Sequence, residues 1–132
     1  MLFRSHEHPE RLVPSVVRPL LRGEEARVSE GSQVRDFLHV ADVGNAFAAL
    51  VDSDVTGPVN VASGEGRSVR GVVEAAAGAV GRPELVRFGA PVDEEPLVVA
   101  DVTRLREEVG WTPARSLEQG LAEAVEWWRT QE

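Results

Sequence analysis

The 132-residue chain contains no cysteine, no tyrosine, no lysine and no isoleucine. Without cysteine there is no thiolate nucleophile, no disulfide framework and no thiolate zinc site. Without lysine there is no Schiff base and no phosphate-loop lysine, and without tyrosine as well there is no tyrosine–lysine acid/base pair. All 14 basic residues are arginines, set against 22 acidic ones, for a net charge of −8. Such a balance offers no basic face for nucleic acid or for an anionic membrane. No run approaches the roughly 20 apolar residues of a membrane span, and Met1-Leu2-Phe3 leads into Arg4, Ser5 and His6 rather than into the apolar stretch of a signal peptide. The expectation is a cytoplasmic globular domain, residues 1–132 forming one unit. A chain near this length buries about 68–70% of its unfolded surface.

Turn signals divide the chain into alternating helical and extended pieces. Arg11 to Arg22 carries Leu12, Val13, Val16, Val17, Leu20 and Leu21 before Gly23. This spacing predicts a helix with Pro14 harmless in its first turn and Pro19 as a kink or restart. Val34 to Val40 reads as extended. Asp42 then offers an N-cap for a helix whose face is Val43, Ala46, Phe47, Leu50 and Val51. Thr56-Gly57-Pro58 breaks the chain before Val59-Asn60-Val61-Ala62, a candidate strand. Ser68 caps a helix that Gly81 closes, Leu85–Phe88 and Leu97–Ala100 read as strands, and Asp101 caps Val102–Val109 before Gly110. Ser116 and Gln119 have capping-box spacing ahead of Leu117, Leu121, Val125 and Trp128. Strands alternating with about five helices predict a small mixed α/β domain.

Few residues invite chemistry. His6-Glu7-His8 puts two imidazoles on one side of a strand, but no third metal ligand accompanies them. Asp93-Glu94-Glu95 lies between Pro91 and Pro96 and reads as a solvated loop. Gly64-Glu65-Gly66 is too short for a dinucleotide loop, and no serine sits in a G-x-S-x-G elbow. Of Trp127-Trp128, the second belongs to the core and the first to its rim. Arg35 opens an extended segment after a Gly-Ser-Gln turn. There its guanidinium fork serves either a phosphate or a local carboxylate such as Asp36, two readings the spacing leaves equal.

Gly31-Ser32-Gln33-Val34-Arg35-Asp36-Phe37-Leu38-His39-Val40-Ala41-Asp42-Val43 resembles the G-x-x-x-R-D-F-x-H-V-x-D-V signature of extended short-chain dehydrogenase/reductases that modify nucleotide sugars. Four further pieces resemble that family in the family's order: Arg11-Leu12-Val13-Pro14 with the helix to Gly23, Gly57 to Gly64, Ala100-Asp101-Val102-Thr103-Arg104-Leu105 with Val109 to Pro113, and Leu117 to Trp128. The resemblance is to the C-terminal substrate domain and implies an α/β fold without a complete Rossmann fold. The family's N-terminal half, with its Gly-rich cofactor turn and Tyr/Lys pair, has no counterpart here. No catalytic, cofactor-binding or metal-binding residue is therefore expected in this chain, and NAD or NADP is implied only for a complete enzyme.

By the same resemblance Arg35 holds the diphosphate of a nucleotide-diphosphate sugar. Asn60 falls at the nucleotide site, and Leu12, Val13 and Pro14 fall where the family covers the sugar or base. Asp36, His39 and Asp42 match the motif in structural roles, Asp42 as a cap and His39 as a packing residue. Where many members carry a second phosphate-binding arginine, this chain has Ala90, Pro91 and Val92, with Arg87 the nearest. The expected function is the substrate-binding portion of an NAD(P)-dependent epimerase or dehydratase, not competent alone and partnered by a homo-oligomer or a complementing Rossmann chain. The alternative is a free-standing, non-catalytic nucleotide-binding or protein-interaction domain.

Overall fold

Helix positions follow apolar spacing and capping chemistry in a computed structural model that describes all 132 residues. Along the chain run β1 (Leu2–Phe3), α1 (Leu12–Leu21), β2 (Ala26–Val28), β3 (Val34–Asp36), β4 (Leu38–His39), α2 (Val40–Val51), β5 (Gly66–Ser68) and α3 (Val69–Val80). A 3-10 turn (Pro83–Leu85), β6 (Val86–Phe88), β7 (Leu97–Val98), a π-turn (Leu105–Val109) and α4 (Leu117–Arg129) complete it. Ser68 accepts from the Gly71 amide at the start of α3, and Gly81 ends that helix at φ 88°. At α4, Ser116 and Gln119 form the reciprocal capping box that their spacing predicts.

Pro19 neither kinks nor restarts α1. It lies within the last turn of Leu12–Leu21, so its missing N–H removes a single helical bond just before the helix ends. Its carbonyl accepts from the Glu24 amide at 2.9 Å, and Gly23 takes the left-handed φ of 78° that reverses the chain.

The core is a three-helix contact edged by strands. Val13, Val16, Val17 and Leu20 of α1 meet Val69, Val72, Val73, Ala76, Ala77 and Val80 of α3, and Leu121, Ala124, Val125 and Trp128 of α4. The i, i+3, i+4 spacing in each helix gives one apolar stripe, and the three stripes face one another. Phe3 of β1, Ala26 of β2 and Phe37 between β3 and β4 cap this cluster. Trp128 is buried while Trp127 is partly exposed, its ring tilted 42° against His6 with centroids 4.1 Å apart.

Three small sheets surround the helices. β1 pairs with β4 and β2 with β6, both parallel, while β3 lies between antiparallel β5 and parallel β7. This is the small mixed α/β architecture expected, and it contains no complete Rossmann fold. No helix is long and apolar enough to cross a membrane.

Two local expectations are corrected. Val59–Ala62 forms no strand, because no neighbouring strand takes up its backbone groups. α2 begins at Val40 rather than after Asp42, and its N-cap is His39, whose ring nitrogen accepts from the Ala41 amide. The face of α2 divides as well: Val43 and Ala46 are buried, but Phe47 is 56% and Val51 84% exposed. None of its residues belongs to the core cluster.

Candidate functional site

β3 is the middle strand of its sheet, so alternate side chains leave it on opposite faces. Asp36 points inward and is 6% exposed. Its Oδ1 accepts from the Ser63 amide (2.8 Å) and hydroxyl (2.6 Å), and its Oδ2 accepts from the Gly64 amide (2.8 Å). The carboxylate thus fastens β3 to the loop before β5. Gly64 adopts φ +76°, and a Cβ there would lie 2.4 Å from Val102 Cγ2. Arg106 donates to the Ser63 carbonyl at 2.8 Å from the other side.

Arg35 leaves the opposite face. Its Nη1 donates to the carbonyl of Val34 at 2.8 Å, and its Nη2 donates to Glu94 Oε2 at 3.2 Å. The side chain is 16% exposed and Glu94 52%. Glu94 also accepts from Gln33 Nε2 at 3.4 Å, so one residue of the acidic loop folds back onto the arginine. In register with Arg35 stand Arg67 on β5 and Val98 on β7. Arg67 donates to Glu118 Oε1 at 2.5 Å.

The other expected binding residues lie on separate elements. Asn60 is exposed in the segment after α2, where its Nδ2 donates to the Asp101 carbonyl at 3.0 Å. Leu12, Val13 and Pro14 open α1: Val13 and Pro14 are buried and Leu12 half-buried against the core.

Asp42 is 1% exposed. Its carboxylate accepts from the amides of Ala114 and Arg115 at 3.2 and 3.3 Å, and from Arg115 Nη1 at 3.2 Å. His39 stands edge-on to Phe3, with centroids 5.3 Å apart. Because its Nδ1 accepts a hydrogen bond, Nε2 carries the proton, and that N–H has no partner, with Glu123 Oε2 3.6 Å away. Burial pushes the imidazole below its ordinary value, and the nearby Glu123 carboxylate opposes the shift. A cleft of about 290 Å³ opens beside these groups, and Arg67, Arg106 and Arg115 line it with His39 and Asp42. Sequence reading singled out none of these three arginines, since strand register brings Arg67 near the motif and tertiary packing of the π-turn and of the entry to α4 brings Arg106 and Arg115.

A dinucleotide cofactor needs free backbone amides for its phosphates. In the Ser63–Gly66 loop the Ser63 and Gly64 amides go to Asp36 and the Glu65 amide goes to Ser63 Oγ at 3.1 Å. The loop is filled by its own chain and does not fit NAD or NADP. His6 and His8 build no metal centre: His6 lies on Trp127 and His8 Nδ1 accepts from the Glu10 amide. No group of three or more His, Asp or Glu residues that could hold a metal ion is present.

Residues 2–124 match the family model described as GDP-mannose 4,6 dehydratase. The chain is 34% identical to a dTDP-4-dehydro-6-deoxy-D-allose reductase of Streptomyces bikiniensis, over 90% of this chain and 37% of that protein. It is 35% identical to a UDP-glucose 4-epimerase of Mycolicibacterium smegmatis, over 96% and 42%. Among solved structures, a UDP-glucose 4-epimerase of Thermotoga maritima with UDP-glucose superposes with a TM-score of 0.87 at 26% identity, covering 98% of this chain and 44% of that one. A dTDP-glucose 4,6-dehydratase of Bacillus anthracis in complex with NAD shares the fold with a TM-score of 0.88 at 24% identity, covering 100% of this chain and 43% of that one. The chain spans about two fifths of the length of the curated relatives it matches. It belongs to the GDP-mannose 4,6 dehydratase family, among the extended short-chain dehydrogenase/reductases that act as nucleotide-sugar epimerases and dehydratases.

Proposed function

We propose that residues 1–132 are one substrate-binding-type domain, the portion of an NAD(P)-dependent nucleotide-sugar epimerase or dehydratase that grips the nucleotide-diphosphate sugar, and that it is not catalytically competent alone. The observation that carries this reading is Arg35. Its guanidinium is braced by the Val34 carbonyl on a largely buried side chain, and its only other partner is the half-exposed carboxylate of Glu94. A planar fork so braced suits bidentate recognition of a phosphoryl group. In this reading Arg35 binds the diphosphate, Asn60 stands at the nucleotide, and half-buried Leu12 faces sugar or base, backed by Val13 and Pro14, which are buried in the core. The solved Thermotoga maritima relative holding UDP-glucose supports the ligand class. Proton and hydride chemistry would come from residues and an NAD or NADP site outside this chain, which lacks tyrosine and lysine.

Calorimetric titration with UDP-, dTDP- and GDP-sugars tests the reading. Micromolar binding that disappears in Arg35→Ala is the expected result, and the absence of heat with every sugar overturns it.

A second reading is a free-standing, non-catalytic binding or interaction domain in a cytoplasmic setting. The exposed Phe47 and Val51 on α2 favour a protein partner, either a second copy or a complementing Rossmann chain.

A further inference from the structure

We propose that Arg67 is the second guanidinium of the anion clamp, supplying the charge that Ala90, Pro91 and Val92 cannot. This rests on the reading of Arg35 as a diphosphate ligand. β3 and β5 are antiparallel with Arg35 and Arg67 as direct Cα partners, so the two side chains leave the same face of the sheet. Directly opposed residues have Cβ atoms about 4.5–5.5 Å apart. Two forks so spaced can meet the two phosphoryl groups that share a bridging oxygen.

Like charges directly opposed weaken a strand pair unless something of opposite sign accompanies them. Here each arginine leans outward onto its own carboxylate, Arg35 onto Glu94 at 3.2 Å and Arg67 onto Glu118 at 2.5 Å. The row across the sheet reads Glu118, Arg67, Arg35, Glu94. Both carboxylates are more than half exposed, 59% and 52%, so solvent weakens their hold on the arginines, of which Arg67 is 37% exposed and Arg35 16%. A diphosphate settling between the arginines replaces two weak outer contacts with two charge-assisted inner ones. Arg87, nearest in sequence to the missing position, is committed elsewhere. It lies on β6 in a different sheet and binds Glu25 at 3.3 Å and the Glu84 carbonyl at 2.6 Å.

The test is calorimetry on the full chain with UDP-glucose and with inorganic pyrophosphate, comparing wild type, Arg35→Ala, Arg67→Ala, Arg67→Lys and Glu118→Gln. Arg67→Ala is expected to weaken both ligands about tenfold, Arg67→Lys to weaken them less because charge remains without the fork, and Glu118→Gln to tighten them severalfold. Wild-type affinity in Arg67→Ala alongside lost binding in Arg35→Ala overturns the role of Arg67 and leaves that of Arg35 standing. No binding by the wild type, or unimpaired binding by Arg35→Ala, removes both. Should Arg67→Ala fail to fold, Glu118→Gln decides, and unchanged affinity there overturns the proposal.

Discussion

Asp42 and Arg115, 73 positions apart, form a 3.2 Å ion pair around a carboxylate that is only 1% exposed. Two backbone amides complete its shell, so the start of α2 is welded to the entry of α4. Asp42→Ala leaves two amides and a guanidinium without their acceptor. It is expected to cost about 1–3 kcal/mol for each amide left without an acceptor. Arg115→Ala, which leaves both amides bonded, should cost clearly less. Urea unfolding of both variants checks the order.

His39 makes stability depend on pH in a definite direction. Burial lowers its pKa from 6.5, so between the folded value and 6.5 the unfolded chain binds more protons than the folded one. Folding stability is therefore expected to fall as pH drops below about 6.5. Denaturation curves collected between pH 5 and 7 should show this slope in wild type and a flatter one in His39→Gln.

Two glycines on helices should respond to alanine with opposite signs. A Cβ on Gly120 would sit 2.8 Å from Phe3 Cζ and 3.3 Å from His39 Cδ2, and Phe3 is 2% exposed with no room to retreat. Gly120→Ala is expected to destabilise by about 1–3 kcal/mol, an overpacking cost that outweighs helix propensity. Gly78 on α3 has nothing within 4 Å of the same position, so Gly78→Ala should stabilise by up to about 1 kcal/mol. Thermal melts of the pair separate the two effects.

The exposed side of α2 predicts association. Phe47→Glu combined with Val51→Glu should leave the core intact, since neither side chain belongs to it. Light scattering is expected to show a self-associated wild type and a smaller particle for the double variant. Equal masses would speak against α2 as the contact.

Most helices were legible in the sequence because caps and spacing act within a few residues, as at Ser68, Gly81 and Ser116. What distant partners decide was less legible. Val59–Ala62 has strand residues and no neighbouring strand, whereas Ala26–Val28, with no strong local signal, becomes β2 because β6 lies beside it. At the site, the motif located Arg35 and Asp36 and the structural character of His39 and Asp42. It could not show that His39 rather than Asp42 caps α2, because a buried pairing with the loop at residues 114–115 takes the aspartate away. Arg67 was invisible for the same reason: register between β3 and β5 is a fact about the fold.

The contact between Phe3 and Gly120 also bears on how the protein is made. Phe3 fills a slot whose far wall belongs to α4, and β1 finds its parallel partner only at Leu38 and His39. During synthesis the ring emerges more than a hundred residues before that wall does. Until then the apolar faces of α1 and α3 have no third helix over them. The nascent chain therefore passes through a long interval in which it is sticky, and its folding is expected to be slow and to gain from a chaperone that holds it.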